Sequence, residues 1–167
     1  MVPFRNNPGF VGREEKIAKI EKLITQQDGP GKIATCGLGG VGKTQIELKL
    51  AYYIRVQYSS DAQLLTDFLP QSEQGRILFT TRNRKLAVKL VSQFVIHVSE
   101  PDPETSVKIL EKALVKKDLL NDSDATITLL NQLAFLPLAI YQAAAYINEN
   151  NIEPSEYITL LRNRSVM

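Results

Sequence analysis

"KIATCGLGGVGKTQIELKLAYYI", residues 32–54, decides how the rest of the chain is read. After Lys32 its opening residues, Ile33 to Cys36, are mostly apolar and partly β-branched, as a short buried strand requires. Residues 37–44 then satisfy G-x-x-x-x-G-K-T. From Lys43 the pattern turns helical, with Ile46, Leu50, Ala51 and Ile54 on one face until about Gln57. Strand, glycine turn and helix is the setting in which successive backbone N–H groups converge on a phosphate. Gly37, Gly39, Gly40 and Gly42 open conformations closed to other residues, and the new helix adds its N-terminal partial charge. Lys43 is placed to reach β- and γ-phosphates, and the Thr44 hydroxyl to ligate a bridging Mg²⁺. With Val41 and Gln45 these residues form the expected nucleotide cradle.

The same glycines also fit G-x-G-x-x-G through Gly37, Gly39 and Gly42, and Asp61 lies at about the distance of a ribose-binding acid. A dinucleotide site needs that acid at the end of a second strand, whereas "IRVQYSSD", residues 54–61, reads as a helix end and a loop. Lys-Thr after the last glycine favours the phosphate loop.

Outward from the cradle, "GREEKIAKIEKLI" (12–24) sets Ile17, Ile20, Leu23 and Ile24 on one helical stripe. Downstream, a connection with a helical turn around residues 62–68 leads to a second strand, "RILFTTR" (76–82). "KLAVKLVSQ" (85–93) reads as a short helix with Leu86 and Leu90 inward, and "FVIHV" (94–98) as a third, buried strand. The remainder is helical. Asp102 is an N-cap with Pro103 in the first turn, followed by Val107, Leu110 and Leu114 on one face. Further helices follow in "TITLLNQLAF" (126–135), "LPLAIYQAAAYINEN" (136–150) and "PSEYITLLRN" (154–163). The order predicts an α/β fold, a parallel sheet of about three strands followed by a small helical lobe, with parts at 1–100 and 101–167.

A chain of 167 residues suits one core, and a net charge of +2 gives no ground for a nucleic-acid or acidic-membrane partner. Cys36, the single cysteine, is expected buried and reduced; with no apolar leader at the N-terminus, this fits a cytoplasmic protein. The apolar stretch 129–147 is interrupted by Asn131, Gln132, Pro137 and Gln142, so a helix hairpin explains it better than a membrane span. His97 reads as a core or strand-end residue.

Four segments, in order, resemble the NB-ARC nucleotide-binding domains of STAND-class signalling NTPases, especially fungal members: "FVGREEKIAKI", the cradle segment, "GRILFTTRNRKLA", and "NQLAFLPLAIYQAAAYINENNIEPSEYITLLR". The resemblance covers most of the chain. It implies ADP or ATP, with Mg²⁺, bound between an α/β part and a helical lobe, and a role in signalling such as innate immunity. It further implies that Arg82 senses the γ-phosphate, for which its planar, permanently charged fork is suited. By the same resemblance Pro137 packs near the nucleotide, while Val11, Gly12 and Arg13 lie close to the base.

Three departures stand out. Phe135 replaces the leading glycine of Gly-Leu-Pro-Leu-Ala, and Gln45 stands where many members carry a hydroxyl residue. The family's two strands between the cradle helix and the sensor strand, the second ending in paired acids that serve Mg²⁺ and water, have no counterpart. Asp67 is the nearest acid, and an amphipathic turn suffices to explain it. Removing those strands leaves a contiguous sheet in the family's strand order, with "RILFTT" as an apolar edge. The expectation is a nucleotide-binding signalling domain with weak or absent ATP hydrolysis, its partners being the nucleotide and further NB-ARC chains or a second copy of itself. The alternatives are a small phosphate-loop kinase, with Arg82 and Arg84 clamping the transferred group, and a fragment serving only as an interaction module.

Overall fold

The strand ahead of the glycine loop, β1 (Lys32–Cys36), forms the middle of the sheet. In this computed structural model, residues 7–26, 28–57, 77–120 and 122–164 are described, with backbone alone for 53–57 and 164. Asp61, Asp67 and the helical turn expected at 62–68 lie outside the described residues, as does the side chain of Ile54. Both neighbours of β1 run parallel to it: β2 (Ile77–Thr81), pairing Lys32 with Ile77 through Cys36 with Thr81, and β3 (Val95–His97), pairing Ala34 with Val95 through Cys36 with His97. The order β2-β1-β3 is the contiguous three-stranded sheet anticipated from the sequence. Among the described residues β2 pairs with β1 alone.

The helices are α1 (Glu14–Thr25), α2 (Lys43–Gln57), α3 (Arg84–Val91), α4 (Pro103–Ala113), α5 (Ser123–Gln132), α6 (Pro137–Asn150) and α7 (Pro154–Arg164), with a 3₁₀ turn at Lys117–Leu120. Strands with crossover helices followed by helices make this an α/β fold compatible with a shortened phosphate-loop NTPase domain. No helix among the described residues is long and apolar enough to cross a membrane. The stretch 129–147 is the end of α5, a turn and most of α6.

The chain divides into two units: one of residues up to 99 without Gly9–Gly12, the other of Gly9–Gly12 with residues from 100 onward. In the first, Cys36 is buried with Ala34, Ala87 and Val91 against Phe79, Phe94 and Val95. This corrects the inward face of α3. Leu86 and Leu90 are 44% and 40% exposed, while Ala87 and Val91 turn in. The strand beneath presents the small side chains Ala34 and Cys36, so the helix sits close and selects its own small residue. His97 is exposed at the end of β3, which removes the core reading and leaves the strand-end one.

In the second unit, Ile109, Leu110, Leu114, Leu129, Leu130, Ile140, Ala144, Ile147 and Ile158 form the core. Asp102 caps α4 as expected, its carboxylate accepting from the Thr105 N–H at 2.8 Å, and Pro103 follows in the first turn. Asp122 caps α5 in the same way, accepting from the Ala125 N–H at 2.9 Å. After α5 the chain turns on two left-handed residues, Ala134 (φ 50°) and Phe135 (φ 53°). Phe135 therefore occupies the backbone conformation for which the glycine of the resembled motif is suited, and its ring packs against the helical core in partial compensation. Ala134 is exposed and has no such compensation. Ala134→Gly is expected to stabilise the chain by about 0.5–1 kcal/mol, the relief of the left-handed strain outweighing the added freedom of the unfolded chain. A denaturant midpoint that does not rise would contradict this.

Candidate functional site

The turn between β1 and α2 is held by what its residues cannot do without. Val41 is fully buried and anchors the loop from inside, while Leu38 at its tip is 59% exposed. Gly40 and Gly42 take φ values of 78° and 96°, in the left-handed region. Gly37 and Gly39 are needed instead for space. A Cβ on Gly37 would meet the Val98 carbonyl oxygen at 2.1 Å, and one on Gly39 would meet the Arg82 guanidinium carbon at 2.8 Å. Past Gly42 the chain enters α2, where the Gln45 and Ile46 N–H groups both donate to the Gly42 carbonyl at 3.1 Å.

Two cations from different elements come to this loop. Lys43 folds back on it, its ammonium donating to the carbonyls of Gly37 at 2.9 Å and Leu38 at 2.8 Å. Arg82, one residue past β2, lies against Gly39. Its place is set from both sides: the Asn83 N–H donates to Thr81 Oγ1 at 3.0 Å, and the Asn83 side chain caps α3 by accepting from the Leu86 N–H at 3.2 Å. Desolvation and the charge of Arg82 together hold the Lys43 ammonium below the ordinary lysine range. An anion between the two would relieve that repulsion.

Arg13 and Gln45 also belong to the surroundings of the loop. Arg13 is itself left-handed (φ 73°), and its guanidinium donates to the Val41 carbonyl at 3.2 Å. Gln45 accepts from the Asn7 side-chain amide at 3.1 Å. Thr44 is exposed in the first turn of α2. Thus Gly37, Gly39, Gly40, Val41, Gly42, Lys43, Thr44, Gln45, Arg82 and Arg13 are all in the first unit, and Lys43, Arg82 and Arg13 bear directly on the loop. Val11 and Pro137 belong to the second: Val11 packs on its helical core, and Pro137 opens α6.

Sequence reasoning missed one pair. Thr35, fully buried in β1, donates from Oγ1 to Glu47 Oε1 at 2.9 Å and lies 3.4 Å from the Phe79 carbonyl oxygen. Glu47 interrupts the inward stripe of α2 between Ile46 and Leu50, and an acid in an apolar stripe was the signal that could have found it. Burial raises its carboxyl above the ordinary glutamate range, opposed by the Thr35 hydrogen bond and the Lys43 charge. The folded chain therefore binds this proton more tightly than the unfolded chain. Stability attributable to Glu47 falls as pH rises from the ordinary glutamate value, about 4.3, through the raised folded value. Glu47→Gln keeps the shape and is expected to raise the melting temperature at pH 7 while changing it little near pH 4. Equal effects at both pH values would count against a half-buried, costly carboxylate.

Among the described residues no group of three or more His, Cys, Asp or Glu is placed to hold a metal ion. No family model matches the chain. A protein of Hyaloscypha variabilis named as a nucleotide-binding leucine-rich repeat (NLR)-like protein is 26% identical over 245 residues, covering 99% of this chain. The chain spans 25% of that relative's length. This similarity over nearly the whole chain supports a relationship to the NB-ARC domains that its four motifs resemble.

Proposed function

We propose that the chain is a nucleotide-binding signalling domain that takes ADP or ATP, with Mg²⁺, on residues 37–44. The observation that carries the reading is the convergence of Lys43 and Arg82, from α2 and from the end of β2, on one glycine loop. Lys43 would exchange its loop carbonyls for phosphate oxygens, and Arg82 would meet the terminal phosphate, so that its position reports whether that phosphate is present. Arg13 holds the loop through Val41. When bound, Mg²⁺ would neutralise phosphate charge, with Thr44 as its protein hydroxyl. The resemblance further assigns Val11 and Arg13 to the base and Pro137 to the nucleotide. The relative's name, a nucleotide-binding leucine-rich repeat (NLR)-like protein, supports nucleotide binding, and the signalling role, including one in innate immunity, is what the resemblance implies.

Weak or absent hydrolysis is part of the proposal. A water attacking the terminal phosphate needs an acid or amide to orient it, and by the resemblance the strands that carry this acid would be missing from this chain. The match to the relative extends over 245 residues against 167 in this chain, which supports a segment present there and missing here. Calorimetric titration with ADP and ATP, with and without Mg²⁺, alongside a thermal melt, tests the reading. Binding by a chain that melts cooperatively is expected, without phosphate release over hours. A folded chain that binds neither nucleotide would overturn it.

A further inference from the structure

Glu47 has features that the fold does not explain. Its carboxylate sits in the sheet-facing stripe of α2, and among the described residues its one hydrogen bond comes from Thr35. Among the described residues no ion pair is made with it: the Lys43 ammonium acts on it only through its charge and spends its hydrogen bonds on the Gly37 and Leu38 carbonyls. Holding a half-buried carboxylate without a paired cation is costly, so a further positive charge arriving beside it would be favourable.

The place in the helix says which charge. Glu47 is three residues beyond Thr44, and residues at that spacing are neighbours on a helix surface, with Cβ atoms about 5–6 Å apart. Thr35 holds the carboxylate toward β1, on the same stretch of α2 as the hydroxyl that opens to the phosphates. A hard divalent cation at those phosphates keeps several water molecules and takes one or two carboxylates as protein partners. We propose that Glu47, anchored by Thr35, is the metal-side carboxylate of this chain, holding the Mg²⁺ of a bound nucleotide through its water together with Thr44. The inference rests on nucleotide binding at residues 37–44 and adds to it a residue of α2 in place of a strand acid.

The charge makes opposite demands with and without the metal, and this separates the role from a structural one. Without Mg²⁺ the Glu47 carboxylate repels the nucleotide phosphates. With Mg²⁺ it helps to retain the complex. Titration of the full chain with ATP, with and without Mg²⁺, is expected to show about tenfold tighter binding with the metal for the native protein. In Glu47→Gln, metal-free binding is expected to be equal or tighter and the metal enhancement to fall to about twofold or less. A substitution that merely damaged the fold would weaken both.

An unchanged enhancement in Glu47→Gln overturns the inference while leaving nucleotide binding intact. Failure of the native chain to bind ATP at all overturns both. If Glu47→Gln does not melt cooperatively, Thr35→Val takes its place, since it frees the carboxylate without removing its charge. The enhancement should then fall by at least about threefold. Its persistence at the native level would overturn the role of the anchored carboxylate.

Discussion

Gly37→Ala is expected to lower the melting temperature by about 6–12 °C. The cause is space. An added Cβ would lie 2.1 Å from the Val98 carbonyl oxygen, 3.1 Å from its carbon and 3.3 Å from Val41 Cγ1. Val98 cannot step aside cheaply, because its N–H donates to the Cys36 carbonyl at 2.7 Å just ahead of Gly37. On the other side the Gly37 N–H donates to the Thr81 carbonyl at 3.3 Å. The methyl is therefore set against backbone on β3's side of a residue already tied to β2, and relief requires parting the sheet. Overpacking of this kind costs on the order of 3 kcal/mol, a large share of the 5–15 kcal/mol typical of a domain.

Gly39→Ala is the matched comparison. There the methyl meets the flexible end of Arg82, which can swing away, so the melting temperature should barely change while Arg82 leaves the loop. Equal melting temperatures for Gly37→Ala and the native chain would show that the end of β3 stands off from the loop.

Lys43→Ala is expected to weaken ADP and ATP binding by at least about 100-fold, with the fold retained. The ammonium would make charge-assisted hydrogen bonds to phosphate, each contributing about 1.5–3 kcal/mol, and about 2.7 kcal/mol corresponds to 100-fold in affinity. Removing it leaves the Gly37 and Leu38 carbonyls without a donor. It also removes the repulsion from Arg82 that, with desolvation, lowers the ammonium's pKa, so the two effects on stability oppose each other. Calorimetric titration of the variant, with a melt as control, checks the expectation. Native-like affinity in the variant would mean that the nucleotide does not use this lysine, and the cradle would have to be sought elsewhere.

Local pattern was sufficient for much of this protein. The boundaries of β1 and α2 follow from an apolar run, a glycine turn and a helical period, all within residues 32–57. The caps of α4 needed only Asp102 and Pro103, because capping is a contact within one turn. The strand order β2-β1-β3 was legible through resemblance, since the matching segments occur in the family's order.

What depended on the tertiary structure is of three kinds. The inward face of α3 could not be read because an eight-residue helix with Leu86, Ala87, Val88, Leu90 and Val91 offers two apolar stripes. The closeness of Ala34 and Cys36 chose the smaller one. Arg82 reaches Gly39 across more than forty residues, and the bonds of Asn83 that set its direction carry no sequence period. Glu47 gained its character only when Thr35 was placed beneath it, for partial burial raises the carboxyl of a helix glutamate while one hydrogen bond opposes the shift. Periodicity and turn chemistry act between neighbours and are written in the sequence. The choice of face, the aim of a long side chain and the setting of a buried charge are decided by what packs against them.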